Sequence, residues 1–88
     1  MTDISTQRIM KFETALRNAI PVESLKIEDE SHLHAGHAGA EGGAGHYRIH
    51  IESTSFKDLN RVQKHRLVYD VLSAWMPQEI HALAIITN

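Results

Sequence analysis

Seven histidines and no cysteine are the residues of this chain most open to chemistry: His32, His34, His37, His46, His50, His65 and His81. A neutral imidazole ligates zinc, copper, nickel and iron, and it gains a proton near neutral pH. Protonating all seven would add seven positive charges to a formal net charge of −2. The missing thiols exclude a disulfide framework, a thiolate zinc site and an all-cysteine iron–sulfur site held by this chain alone.

The spacing sorts the seven. His32, His34 and His37 are separated by one and two intervening residues, short enough for a flexible segment to wrap a metal ion. Glu28, Asp29, Glu30 and Glu41 could add hard oxygen ligands. The same segment also reads as a solvated polar loop, and the spacing leaves both readings open. His81 shares the period-two face of Leu83 and Ile85, so it is either a half-buried histidine at a strand end or a ligand. His65 stands one helical turn before Val68 and reads as a structural residue at the core margin. His50 lies with Arg48 and Glu52 on the face opposite Tyr47, a solvated position. His46 belongs to that polar face but adjoins the loop, where it could support a ligand.

Other chemistry finds less support. Ser53 and Ser55 have no nucleophile-elbow context, and no HExxH, GxxxxGK[ST] or GxGxxG occurs, so the chain does not read as an enzyme. Lys57, Arg61, Lys64 and Arg66 against the single acid Asp58 make a basic stretch, which is a phosphate-binding face or a solvated one. Aromatic residues are 6% of the chain, too few to favour single-strand binding by stacking.

Periodicity supplies the elements that must position these groups. Ile9, Phe12, Leu16, Ala19 and Ile20 predict a helix over 6–19, capped by Ser5 or Thr6 and ended by Pro21. Leu25 and Ile27 alternate with charged residues and predict a strand through Glu30. All five glycines fall within 36–45, which predicts a mobile loop. Tyr47, Ile49 and Ile51 mark a second strand. Ser55-Phe56-Lys57-Asp58 has the form of a helix start, and Val68, Val71, Leu72 and Trp75 continue the helix towards Pro77. A third strand covers 80–87.

The order is α-β-β-α-β, an α+β fold. Strands two and three are joined through a helix and should be parallel, whereas strands one and two should be antiparallel. The product is a three-stranded mixed sheet with helices on one face. Parallel strands two and three begin at the same sheet end, so His81 should meet the segment between strands one and two. Eighty-eight residues with 42% hydrophobic and 23% charged content suit one soluble domain over 1–88. No apolar run reaches the ~18 residues of a membrane span, and the start lacks a basic, hydrophobic leader. A cytoplasmic location is expected.

Four segments in this order resemble the BolA family. They are Asp29-Glu30-Ser31-His32-Leu33-His34, Gly45-His46-Tyr47-Arg48-Ile49, Arg61-Val62-Gln63-Lys64-His65-Arg66-Leu67-Val68-Tyr69 and Ile80-His81-Ala82-Leu83-Ala84. The resemblance runs from the first helix to Ile86 and implies a type II KH-like fold. It also implies a partner, a monothiol glutaredoxin, with which a 2Fe–2S cluster is shared. The partner's cysteine and glutathione would supply the thiolates. Here His81 and a loop residue matching His34, with His37 as the alternative, would supply imidazoles. The role implied is iron–sulfur cluster trafficking or iron-linked regulation, with no cofactor held by the isolated chain. BolA-type proteins are also associated with transcription control, which implies DNA contact through Lys57, Arg61, Lys64 and Arg66. Where the family has Phe-x-Gly, this chain has Phe56-Lys57-Asp58, and a carboxylate there would repel phosphate.

Overall fold

A computed structural model describes residues 4–31 and 44–88 of the chain. The first helix, α1, spans Ile4–Ala19 and buries Phe12 and Leu16, with Ile9 half-buried beside them. Ile20 N–H still donates to the Leu16 carbonyl at 2.9 Å before Pro21 ends the turn. The helix starts two residues ahead of Thr6. The Ser5 hydroxyl, expected as a cap, instead lies within the first turn and donates to the Asp29 carboxylate.

β1 spans Val22–Asp29 and β2 spans Gly45–Ser53. They pair antiparallel, with Leu25 opposite Ile51 and Ile27 opposite Ile49. β3, Ile80–Thr87, pairs parallel to β2, giving the sheet order β1-β2-β3. This is the expected mixed sheet. Tyr47, Ile49 and Ile51 turn inward from the central strand, and Phe12, Leu16, Val68, Leu72 and Ile80 complete the core with them. Both helices therefore lie on one face. Arg48, His50 and Glu52 alternate onto the other.

The second helix differs at its start. Ser55 does not open it: Thr54–Phe56 form a single 3-10 turn capped by Ser53, whose Oγ accepts from Ser55 N–H at 3.0 Å. Asp58 then adopts a left-handed conformation, φ 71°, which stops any helix running on from Ser55. The helix α2 runs Arg61–Leu72 behind a capping box at Asn60 and Gln63, each side chain accepting from the other's N–H at 2.8 and 2.9 Å. Its apolar stripe continues into the 3-10 turn Ser73–Trp75, so Trp75 reaches Phe12 although the helix stops at Leu72.

The conformation of Asp58 explains why a glycine suits this position. Asp58→Gly should raise the unfolding free energy by about 0.5–1 kcal/mol, since only glycine takes this φ without steric cost. Urea denaturation checks this, and an unchanged or lower midpoint would refute it.

Candidate metal centre

β1 ends, and β2 and β3 begin, at one edge of the molecule. Glu30 N–H donates to the His46 carbonyl at 2.7 Å, and His46 N–H donates to Ser31 Oγ at 3.1 Å. Ser31 N–H in turn donates to Asp29 Oδ1 at 2.8 Å, a turn closed by the aspartate side chain. The chain thus leaves at Ser31 and returns at Ala44 beside His46. The loop histidines His32, His34 and His37 lie outside the described residues.

The pairing of β2 with β3 shifts by one residue here. Gly45 pairs with Ile80 and His46 pairs with Ala82, leaving His81 as the extra residue of a bulge. The strict period of two would turn His81 inward with Leu83 and Ile85. The bulge breaks that parity, and His81 is exposed, its ring against that of His46 with centroids 5.1 Å apart. His46 is only 9% exposed despite its place on the polar face. Among the described residues no three His, Cys, Asp or Glu side chains gather to hold a metal.

The surrounding charges are matched. Arg48 Nε lies 3.1 Å from Glu30 Oε2, and Lys11 Nζ lies 2.6 Å from Glu79 Oε1, with Arg8 Nε 3.5 Å from the same oxygen. Glu79 also accepts from Gly45 N–H through its carbonyl at 3.0 Å, which ties α1 to the starts of both parallel strands. Further along the outer face, Lys26 hydrogen-bonds Glu28 and holds its carboxyl below the ordinary value, helped by His50 and Arg48. Burial pushes the Tyr47 phenol up, opposed by its hydrogen bond with Arg8. The Asp29–Ser31 turn and the Glu79 contacts were not read from the sequence. The Asp-x-Ser pattern is a signal for the first, but nothing local marks the second.

The remaining candidates lie elsewhere. His50 Nε2 is 3.5 Å from Glu28 Oε1 on the outer sheet face. His65 lines a groove between α2 and β3 with Val62, Arg66, Tyr69, Leu83 and Ile85. The four basic residues are spread over two hollows and the start of α2. Lys57 and Lys64 line a separate hollow with Asp58, and Lys64 Nζ donates to the Asn88 carbonyl at 2.5 Å, whereas Arg66 lines the groove. Arg61 is exposed at the start of α2.

Residues 16–88, which include both strand starts and the His81 bulge, match the family model described as BolA-like protein. This chain belongs to the BolA family. Among BolA relatives, SufE-like protein 1 of Arabidopsis thaliana, chloroplastic/mitochondrial, is 36% identical over 92% of this chain and 23% of its own length. The DNA-binding transcriptional regulator BolA of Haemophilus influenzae is 35% identical over 93% of this chain and 75% of its own. Among solved structures, the BolA domain of Arabidopsis SufE1 superposes with a TM-score of 0.80 at 32% identity, covering 92% of this chain and 90% of that one. The chain spans 23% and 44% of the first two curated relatives, the second being chloroplastic BOLA1 of Arabidopsis. Among the described residues, no helix is long and apolar enough to cross a membrane.

Proposed function

We propose that this BolA-family chain is the partner of a monothiol glutaredoxin and contributes imidazoles to a shared 2Fe–2S cluster, in cluster trafficking or iron-linked regulation. His81 is one ligand and His34 the other, with His37 as the alternative. One observation carries the reading: His81 is exposed on a bulge at the end of the sheet where β1 finishes and β2 begins. The donor set fits. A chain with no cysteine cannot give a cluster thiolates, so these must come from a cysteine partner and glutathione. Imidazole ligation would raise the cluster's potential relative to an all-thiolate one.

Mixing this chain with a monothiol glutaredoxin, glutathione, iron and sulfide should change the visible absorption and circular dichroism from those of the glutaredoxin-only cluster. His81→Ala should return the spectrum to the glutaredoxin-only form. If His81→Ala left the mixed spectrum intact, the ligand assignment would fall.

A second reading, DNA-binding transcriptional regulation, is favoured by the name of the Haemophilus relative and by the basic residues Lys57, Arg61, Lys64 and Arg66. Binding through phosphates would lose affinity steeply with salt, with a slope of about −0.9 per phosphate contacted. No binding at low salt would exclude it.

A further inference from the structure

We propose that His46 and His81 together bind one divalent ion of the imidazole-seeking class, with zinc(II) as the probe, and that this chain takes it with no partner present. The site rests on the preceding reading only in sharing His81. A cluster needs outside thiolates, and this ion does not.

The first observation is the ring spacing. Two imidazole nitrogens about 2.0–2.1 Å from one tetrahedral zinc place their ring centres about 5 Å apart. The His46 and His81 centroids are 5.1 Å apart, with ring planes at 52°. The observed separation is therefore that of two imidazoles sharing one ion.

The second is how each ring is carried. His46 is the second residue of the central strand, its N–H given to Ser31 and its carbonyl taken by Glu30, and it is 9% exposed. Its backbone is held at both polar groups and its side chain is largely buried. His81 is the unpaired residue of the bulge and exposed, so its ring can turn onto a shared ion without breaking a strand bond. A rigid ligand beside an adjustable one lowers the entropy lost on binding.

The third is the engagement of the oxygen donors. Glu30 is bound by Arg48, and Asp29 by Ser5 and the Ser31 N–H. Carboxylates so occupied offer little to calcium or magnesium, which need several oxygens. Two neutral imidazoles favour zinc, nickel or copper instead, with water filling the remaining positions. Of the other described histidines, His50 faces Glu28 and His65 lies in the groove beside α2.

Zinc(II) alone, titrated into the full chain by calorimetry with histidine ring shifts followed by NMR, tests the site. One ion per chain is expected. His46→Phe and His81→Phe, which keep a ring in each place, should each weaken binding at least about tenfold while leaving the amide spectrum of the fold unchanged. His50→Gln, and a chain with His32, His34 and His37 all replaced by Gln, should stay within about threefold of the parent. Unchanged affinity in either Phe variant would overturn the proposal and leave a packed ring pair only. Loss of binding in the triple loop variant, or no uptake by the parent chain, would overturn it too. Zinc binding without cluster formation would leave this site standing and remove the glutaredoxin reading; cluster formation without zinc binding would do the reverse.

Discussion

Phe12→Ala will lower the unfolding free energy by about 3–5 kcal/mol, the range for emptying a fully buried aromatic site. Phe12 is 0% exposed and, with Leu16, anchors α1 in the core. Its ring meets Tyr47 edge-on, centroids 5.2 Å apart at 81°, and lies 5.5 Å from Trp75. Truncation therefore removes the transfer energy of the ring, two aromatic contacts and the packing of three elements at once. The surrounding strand and helix cannot collapse into the gap without breaking the Tyr47 and Val68 packing, so the cavity should persist. A chain of this size has a total stability of about 5–15 kcal/mol, so the variant will be close to unfolding at 37 °C. Phe12→Leu keeps most of the volume and should cost less than half as much, which keeps the measurement possible if the alanine variant fails to fold. Urea denaturation of both settles it. A loss under about 1.5 kcal/mol for Phe12→Ala would mean that the site repacks.

Which features could be read from the sequence follows from the range of the interaction behind each. Phe12 and Leu16 lie on a helical period, and Tyr47, Ile49 and Ile51 on a strand period, and these local patterns predicted the elements and the face each buries. The helix between β2 and β3 forced their parallel pairing, and with it the placing of His81 at the sheet end where β1 finishes and β2 begins. The helix start failed for a local reason. Two cap signals compete within six residues, Ser55 with Asp58 and Asn60 with Gln63, and the left-handed conformation of Asp58 decides for the second.

The site was less legible because it depends on one residue of register. Counting by twos from Leu83 turns His81 into the core. The bulge opposite Gly45 and His46 turns it out, and no residue within β3 announces the bulge. On β2 the bulge falls beside Gly45, which lies close against the Tyr47 ring. The burial of His46 is likewise a product of pairing with two neighbours, not of its own alternation. Composition singled out histidine, but only the assembled sheet end singles out His46 beside His81.

Gly45→Ala tests that coupling. A Cβ on Gly45 would lie 2.7 Å from Tyr47 Cε2 and Oη and 2.8 Å from Cζ, far inside contact distance. The ring cannot swing aside cheaply, because Tyr47 is 2% exposed and wedged against Phe12. The strand start must shift instead, and overpacking of this kind costs about 1–3 kcal/mol. Gly45 N–H holds the Glu79 carbonyl at 3.0 Å and Gly45 pairs with Ile80, so the shift falls on the bulge that carries His81. Two results are expected together: a lower urea midpoint and altered ring resonances of His46 and His81. Putting Gly45→Ala into a Tyr47→Leu background removes the obstructing ring, and there the alanine should cost at least about 1 kcal/mol less than in the parent. An equal cost in both backgrounds would show that the strain does not run through Tyr47. Unchanged histidine resonances in Gly45→Ala would show that the start of β2 and the ring pair are mechanically independent.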